Sequence, residues 1–384
     1  MQSFVFNTTR SIINESGSLN RIADICREQH ISKPLIITDN GLVKIGLMAK
    51  LEAALTSGGM AFSSFTDVVA NPPEAVVYAA LDALKEGSSD GVIGFGGGSS
   101  MDTAKLIALM ANTGAKLEDI YGVGVAKGQR LPLILIPTTA GTGSEATAVA
   151  IVTTGETTKA GVVANQLYPD VALLDAELTI GLPAHITAAT GVDAMVHCIE
   201  AYTSAHLKNP YADMLAKEGL RLLSANVMTA THEGSNVEAR QAMLLGACLG
   251  GQAFANAPVA AVHALAYPLG GHYHIPHGLS NSLVLPHVMR FNAPQAKAMY
   301  AELAPIIMGR TVSGDDAAVT DALIAHIEQL IVDLKLKNTL RSMDIPESDL
   351  PMLASDGMKQ QRLLINNPRE VTEADALAIY QAAY

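Results

Sequence analysis

Five histidines lie in one long stretch of sequence that carries no formal charge. Between Arg240 and Arg290 the chain has no Asp, Glu, Lys or Arg, and it is rich in Ala and Gly. Such a stretch is typical of packed interior, where an imidazole is costly unless something binds it. Metal coordination is one reason to keep such rings, and hydrogen bonds to backbone carbonyls are the alternative. The histidines are His263, His272, His274, His277 and His287.

An aspartate and a histidine upstream complete a possible metal site. Asp193 and His197 are four residues apart in a run that is predicted to be helical from Ala184 to Ser204, after Pro183. Residues at i and i+4 share one helix face, with Cβ atoms about 5–6 Å apart. A solvated ion pair is the usual alternative, but the neighbouring residues are apolar. We predict one divalent ion, iron(II) or zinc(II), bound by Asp193, His197, His263 and His277.

A glycine-rich turn follows a short apolar strand in the N-terminal half. The run from Asp90 to Lys105 reads DGVIGFGGGSSMDTAK, with three consecutive glycines, Gly96 to Gly98. Without Cβ atoms the backbone N–H groups can approach an anion, and the helix predicted to begin near Ser99 points its positive end at that anion. The pattern predicts a phosphate cradle, with an ordinary tight turn as the alternative. It matches neither the nucleotide-hydrolase loop nor a clean G-x-G-x-x-G, so it does not favour kinase or ATPase chemistry.

A second apolar strand, beginning at Leu133, opens into a loop dense in hydroxyl groups. These groups could donate to a diphosphate or a ribose, and a capped turn is the alternative reading of each. The hydroxyl residues are Thr138, Thr139, Thr142, Ser144 and Thr147.

Asp39 ends a third predicted strand, which begins at Pro34. A carboxylate in this place can accept from both hydroxyls of an adenosine ribose and repels a 2′-phosphate, which favours NAD over NADP. The alternative is that Asp39 is the N-cap of the next helix.

Together these motifs resemble the iron-dependent, or group III, alcohol dehydrogenase family. The resemblance rests on Gly96–Ser99, Pro137–Thr139, Gly191–Asp193 with His197, and His263 followed by Pro276–Gly278. These separated elements occur in the family's order, and the resemblance covers nearly the whole chain. It implies a nicotinamide-dependent oxidoreductase with an α/β cofactor domain, an all-helical domain and a metal in the cleft between them, the architecture of dehydroquinate synthase.

The resemblance carries the same four metal ligands onto this chain and adds residues to the cofactor site. With the glycine turn and the hydroxyl loop, the predicted dinucleotide site comprises Asp39, Asn71, Gly96, Gly97, Gly98, Ser99, Asp102, Thr138, Thr139, Thr142, Ser144, Thr147 and Lys159.

One position departs from the family pattern. Many members have another histidine four residues after the third ligand, which passes a proton between the substrate oxygen and solvent, and here the residue is Tyr267. A phenol can relay a proton, but its ordinary pKa of about 10 makes it a poor base at neutral pH. His274 is the alternative relay. The predicted catalytic residues are therefore His277, Tyr267 and His274.

Apolar periodicity divides the chain near Leu182 and Pro183. Strands alternate with helices before this point, which indicates a parallel sheet, and long helical patterns follow it. We predict an α/β NAD-binding domain over residues 1–184 and an all-helical metal-binding domain over residues 185–384. The predicted strands are Leu35–Thr38, Phe62–Phe65, Val92–Phe95 and Leu133–Ile136. The predicted helices are Leu19–Gln29, Leu42–Leu55, Glu74–Lys85, Met101–Met110, Ala184–Ser204, Ala212–Leu223, Val237–Phe254, Ala318–Leu334 and Thr372–Tyr380.

Composition limits the class of protein. The chain has 384 residues, of which 49% are apolar, which is enough for two cores. A net charge of −12 disfavours nucleic acid and anionic membranes as partners. Cys26, Cys198 and Cys248 are widely spaced, which is typical of a reducing compartment. Since the first residues hold no sustained apolar segment, we expect a cytoplasmic protein without a secretion signal.

The predicted reaction is the reversible oxidation of a small primary alcohol to its aldehyde. The metal would act as a Lewis acid on the substrate oxygen, and hydride would pass to the nicotinamide of NAD. We expect a homo-oligomer, most simply a dimer that pairs edge strands at Phe4–Phe6 across a two-fold axis.

Three other functions remain open from the residues alone. A lyase of the dehydroquinate synthase type uses NAD transiently, but it needs several Lys and Arg for a substrate phosphate, and residues 241–289 hold none. A metal-free reductase of the same fold would not need four ligands together. A non-catalytic NAD-responsive or metal-storing protein would need the binding loops but no room for a substrate.

Overall fold

The computed structural model describes residues 3–155 and 158–384. They form two compact units. One comprises Asn7–Gly181, and the other comprises Leu182–Tyr384 with the N-terminal residues up to Phe6.

The first unit alternates strands with helices, as the sequence predicts. Its strands are β1 (Ser11–Asn14), β2 (Pro34–Asp39), β3 (Ser63–Val68), β4 (Gly91–Gly96), β5 (Gly122–Val123), β6 (Leu133–Pro137), β7 (Val149–Thr154), β8 (Thr158–Val163) and β9 (Val171–Leu174). Its α-helices are α1 (Ile22–Glu28), α2 (Asn40–Lys44), α3 (Leu47–Ser57), α4 (Glu74–Glu86), α5 (Gly98–Thr113) and α6 (Leu117–Ile120).

A six-stranded parallel sheet in the order β1-β9-β6-β4-β2-β3 forms the centre of this unit. Strands β4, β6 and β9 are buried along their whole length, which explains their nearly continuous apolar sequences. Side chains alternate between two cores, so Val92 packs with α4 and α5 whereas Ile93 packs with α1 and α3. A smaller sheet has the order β5-β8-β7. The predicted parallel α/β fold is therefore confirmed.

The carboxyl ends of β4 and β6 lie side by side. Gly96 is opposite Pro137 in the register, and the Thr138 N–H donates to the Gly96 carbonyl at 3.0 Å. Strand β2 flanks β4 on its other side, with Ile37 opposite Gly94. Ligands of parallel sheets bind beyond these carboxyl ends. This edge therefore brings the glycine turn and the hydroxyl loop together.

The prediction of one helix over Leu42–Leu55 was wrong. Two helices, α2 and α3, are separated at Gly46, where φ is 80°. This left-handed conformation interrupts a helix, and glycine adopts it without a Cβ clash. Strands β1, β5, β7, β8 and β9 were not predicted, because they are short or rich in Thr and Gly.

The second unit is helical, and its described residues contain no strand. Its α-helices are α7 (Ala184–Thr203), α8 (Pro210–His232), α9 (Val237–Asn256), α10 (Ala261–Tyr273), α11 (His277–Met308), α12 (Asp316–Asp333), α13 (Leu350–Gly357), α14 (Gln361–Leu364) and α15 (Glu373–Ala382). This confirms the predicted all-helical C-terminal half.

Helix α7 lies at the centre of this unit. Every residue from Gly191 to Thr203 is buried. Small residues let the neighbouring helices approach closely: a Cβ on Gly219 of α8 would lie 2.8 Å from the Cys198 sulfur and 3.1 Å from the Gly246 carbonyl of α9. Such close packing makes α7 a rigid support for the polar side chains that it carries.

The charge-free stretch of five histidines is only partly interior. His263 is buried in α10, but the chain reaches the surface between the last turn of α10 and the start of α11. The exposed histidines are His272, His274 and His277. Among the described residues no single helix is long and apolar enough to cross a membrane. Helices α9 and α10 reach the necessary length and apolar character only when taken together, and the pair is bent by 107°.

In the single chain, Phe4–Phe6 is not a strand. The rings of Phe4 and Phe6 lie 5.8 and 5.4 Å from the ring of Tyr211 in α8, while Val5 is 77% exposed. Aromatic packing, rather than strand pairing, therefore holds this segment within the chain.

Candidate metal centre and dinucleotide site

Three helices of the second unit bring the four predicted metal ligands together. Asp193 and His197 come from α7, His263 from α10, and His277 is the first residue of α11. Each offers a ligand atom, and these atoms all lie within 4.8 Å of one another. Asp193, His197 and His263 are buried, whereas the His277 side chain is 42% exposed. His277 is therefore the member of the cluster that is most accessible to solvent.

The ring geometry is compact. The centroids of His197 and His263 are 4.8 Å apart, those of His263 and His277 are 5.3 Å apart, and His277 Nε2 lies 3.7 Å from Asp193 Oδ1. Gly278 explains how α11 reaches α7, because a Cβ there would lie 2.4 Å from the Ala189 carbonyl. The Pro-His-Gly turn thus needs glycine for close helix approach.

Glu200 contacts one of the predicted ligands, although it was not among the residues predicted from the sequence. Its Oε2 lies 2.6 Å from His263 Nδ1, and its Oε1 accepts from the Val262 N–H at 2.7 Å. With the proton on Nδ1 donated to this carboxylate, Nε2 keeps its lone pair for a metal. The available signal was spacing, since Glu200 follows Asp193 by seven residues and His197 by three on the same helix.

Interactions within the cluster lower the pKa of its carboxylate. Burial raises the pKa of Asp193, but His277, His197 and His263 and a hydrogen bond from Asn281 together hold that pKa below its ordinary value. Three imidazoles and one carboxylate are a donor set that suits iron(II) or zinc(II). The residues present therefore fit a divalent transition-metal ion.

The two predicted proton relays have different surroundings. The ring of Tyr267 lies 5.9 Å from the ring of His277. His274 is exposed and has a φ of 54° at the end of α10. Phe254, stacked on His197 with centroids 4.5 Å apart, adds an apolar wall to the cluster. Of the two candidates, Tyr267 is the one that contacts a cluster residue.

The glycine turn of the first unit forms the start of α5. Gly96 has a φ of 148°, which favours glycine, and no side chain caps the N-terminus of α5. A Cβ on Gly98 would lie 3.0 Å from Thr142, and one on Gly97 would lie 3.7 Å from Thr139. The turn and the hydroxyl loop are thus in contact, and the positive end of a long helix opens beside them.

Some of the predicted cofactor residues form hydrogen bonds with other side chains of the protein. Lys105, whose side chain is fully buried, donates to Ser144 Oγ at 2.7 Å and to Thr147 Oγ1 at 3.1 Å. Ser144 in turn donates to Asp102 at 2.6 Å, and Asp102 also accepts from the Ile151 N–H at 3.0 Å. Burial lowers the pKa of Lys105 to about 8 and raises that of Asp102. This network attaches the hydroxyl loop to α5.

Asn71 and Lys159 are brought together although they are far apart in sequence. Lys159 Nζ donates to Asn71 Oδ1 and to Thr153 Oγ1. Burial lowers the pKa of Lys159 to about 8, against the opposing effect of Asp102. An ammonium group with a lowered pKa and a neighbouring amide can bind a polar ligand group.

Asp39 caps the helix that follows its strand. Its Oδ1 accepts from the N–H groups of Gly41 at 2.8 Å and Leu42 at 3.1 Å. The N-cap alternative is therefore observed. The same residue stands at the carboxyl end of β2, and the carboxyl ends of parallel strands are where such sheets usually bind ligands.

Comparisons with known proteins cover both units. The family model described as "Iron-containing alcohol dehydrogenase" matches residues 9–176, and the one described as "Fe-containing alcohol dehydrogenase family, C-terminal" matches residues 187–384. Long-chain-alcohol dehydrogenase 1 of Geobacillus thermodenitrificans is 39% identical over 371 residues, which cover 96% of this chain and 93% of that protein. Sulfoacetaldehyde reductase of Bilophila wadsworthia is 36% identical over 389 residues, covering 100% and 99%.

Solved structures give the same result. The crystal structure of a 1,3-propanediol oxidoreductase superposes with a TM-score of 0.96 at 32% identity and covers 100% of both chains. Sulfoacetaldehyde reductase from Bifidobacterium kashiwanohense, in complex with NAD+, superposes with a TM-score of 0.89 at 29% identity, covering 100% of this chain and 99% of that one.

Proposed function

Because this chain belongs to the iron-containing alcohol dehydrogenase family, we propose that its helical unit holds an iron(II) ion and that its α/β unit binds NAD. The reaction is the NAD-dependent interconversion of an alcohol and an aldehyde. The observation that carries this proposal is the convergence of one carboxylate and three imidazoles within 4.8 Å.

Asp193, His197, His263 and His277 are the proposed metal ligands. When bound, the ion supplies Lewis-acid stabilisation of negative charge on the substrate oxygen. Asp193 contributes the negative charge of the ligand set, and Glu200 keeps His263 in the tautomer that offers Nε2. Zinc(II) suits the same donor set, so metal content must be measured rather than assumed.

Tyr267 is the proposed proton relay. Its ring is beside His277, whose side chain is the exposed one of the four. A hydroxyl group can accept a proton from a substrate and donate its own towards solvent, so it serves as a relay without being a strong base. His274 is the less favoured candidate because it lies exposed beyond α10.

The proposed dinucleotide site is the edge formed by β2, β4 and β6. The N-terminus of α5 offers its helix dipole to the diphosphate, with hydroxyls of Thr138, Thr139 and Thr142 nearby. Asp39 favours NAD over NADP because its charge repels a 2′-phosphate. A relative of the same fold binds NAD+, which supports this choice.

The proposed substrate is a small alcohol or aldehyde with a partly apolar chain. Phe254 supplies an apolar face next to His197, and Val259 and Ala260 are buried in the segment before α10. The relatives are named for a long-chain alcohol, 1,3-propanediol and sulfoacetaldehyde, so a panel of substrates is needed.

A homodimer and a cytoplasmic location complete the proposal. The exposed Val5, between two rings that pack on Tyr211, offers an apolar contact for a second copy. The three cysteines are buried and none forms a disulfide, as expected in a reducing compartment. Light scattering on the purified protein and on Val5→Asp tests the dimer.

Elemental analysis and NADH formation, measured on the same samples, test the proposed function. The wild-type protein is compared with Asp193→Asn and His263→Ala on a panel of alcohols and aldehydes. We expect about one metal ion per wild-type chain, and both variants to lose metal and turnover together. His272→Ala is the matched control, since His272 is on the same helix as His263 but pairs with Asp356 outside the cluster. Phosphate release without net NADH, or no NAD-linked turnover with metal present, would contradict the proposal.

A further inference from the structure

Asn281 lies inside the ring of metal ligands. It is in α11, one helical turn after His277, and is fully buried. Its Nδ2 donates to Asp193 Oδ1 at 2.6 Å and lies 3.3 Å from both His263 Nε2 and His277 Nε2. One amide nitrogen therefore contacts three of the four cluster residues.

The orientation of this amide follows from charge. If the amide were rotated by 180°, the Asp193 carboxylate would repel the amide oxygen. In the observed orientation, the two N–H groups of the amide can donate to the carboxylate and to an imidazole lone pair. A neutral imidazole has one lone pair, and Glu200 already fixes the proton of His263 on Nδ1. The His263 lone pair can therefore serve either Asn281 or a cation. A carboxylate oxygen has more than one lone pair, so Asp193 can accept the hydrogen bond from Asn281 and bind a cation at the same time.

We propose that Asn281 is a positioning residue of the metal centre, which holds Asp193 and the two imidazoles in place for a divalent cation and keeps its bond to Asp193 when the cation is bound. This inference rests on the proposed metal site. It predicts that the ligands are assembled before the metal arrives, so that little conformational entropy is lost on binding.

The first test compares Asn281→Ala with Asn292→Ala. Asn292 is a matched control because it is a buried asparagine in the same helix that hydrogen bonds to Asn367, outside the cluster. The affinity for Zn²⁺ is measured by competition with a chromophoric chelator, and the absorption of the Co²⁺-loaded protein reports on the ligand arrangement. We expect Asn281→Ala to bind Zn²⁺ about 10- to 100-fold more weakly than wild type, with an altered Co²⁺ spectrum, and Asn292→Ala to bind as wild type does.

The second test uses Asn281→Asp, which keeps the shape of the side chain but replaces the donor with a carboxylate. Two carboxylates in contact destabilise the metal-free protein, and a cation relieves the repulsion. We therefore expect Zn²⁺ to raise the melting temperature of Asn281→Asp more than that of wild type. An equal rise in both proteins would contradict the contact between residue 281 and Asp193 on which the inference depends.

The outcomes separate this inference from the proposed function. Equal Zn²⁺ affinities of wild type and Asn281→Ala, or equal losses in Asn281→Ala and Asn292→Ala, would overturn the role of Asn281 alone. A wild-type protein that binds neither Zn²⁺ nor Co²⁺ would overturn the metal centre as well.

Discussion

The metal cluster and the hydroxyl loop both place polar side chains in apolar surroundings, but they use them differently. In the cluster, the ligand atoms of four residues point at one another within 4.8 Å. In the loop, Ser144 and Thr147 are occupied by the buried ammonium of Lys105. Hydrogen bonds within the loop hold its backbone in place, whereas ligand atoms that converge on one point are suited to bind an ion. The following predictions test this contrast.

Removing the metal is expected to have the largest effect. Treatment with a chelator lowers kcat/KM by about 1,000-fold, or about 4 kcal/mol, because charge stabilisation of the substrate oxygen is lost. The affinity for NAD, measured by calorimetry, stays within about two-fold, since the proposed NAD residues are in the other unit. Anaerobic addition of Fe²⁺ restores turnover. A parallel loss of NAD affinity would show that the metal centre also contributes to NAD binding.

Lys105→Met is expected to destabilise the first unit. It leaves Asp102, whose side chain is 15% exposed, without the ammonium group that lies 3.7 Å from its carboxylate, and breaking a buried ion pair costs up to about 3–5 kcal/mol. Urea unfolding measures the loss, and the double variant Lys105→Met/Asp102→Asn recovers part of it because the unpaired charge is gone. We expect a higher KM for NAD with unchanged metal content. Loss of metal in this variant would argue against the structural role of the network.

Glu200→Gln is expected to weaken the metal centre without affecting the loop. The amide offers His263 a weaker acceptor than the carboxylate does, so the affinity for Zn²⁺ falls by about 10- to 100-fold. Chelator competition gives this affinity, and calorimetry with NAD is the control. If Glu200→Gln binds Zn²⁺ as tightly as wild type, the carboxylate does not orient His263.

Asp39 is expected to give the smallest effect, and two substitutions separate its two roles. Asp39→Ala removes both the negative charge and the N-cap, at a cost of about 1 kcal/mol of stability. Asp39→Asn removes the charge but keeps an N-cap acceptor. Both variants are expected to shift the ratio of NAD to NADP turnover towards NADP by about 5- to 30-fold, or 1–2 kcal/mol. If neither ratio changes, Asp39 is only a helix cap.

The sequence predicts the relative positions of side chains correctly where a local repeat determines them. Asp193 and His197 share a face because a helix repeats every 3.6 residues, and the glycine turn follows from the absence of Cβ atoms after β4. The sequence did not predict α10 and α11. Helix α11 contains Pro286, Pro294 and Pro305, and prolines normally end a helix, so only packing against neighbouring helices explains its length.

The residues that support the sites were harder to find. Glu200, Lys105 and Asn281 act on partners that are 63, 39 and 88 residues away in sequence. Glu200 alone has a signal in the sequence, its helical spacing from Asp193 and His197, whereas no pattern shows which partners Lys105 and Asn281 contact. Their importance depends on contacts between distant segments, which the sequence does not reveal.

The sequence by itself determined the family, the parallel α/β and helical halves, and the types of residue that bind a metal and a dinucleotide, because these follow from short-range periodicity and side-chain chemistry. Only the tertiary structure decided which polar groups converge and which are satisfied internally. Hydrogen bonds and ligand contacts require distances of about 3 Å, and such distances between separated segments are set by helix packing and strand register, not by any one stretch of the chain.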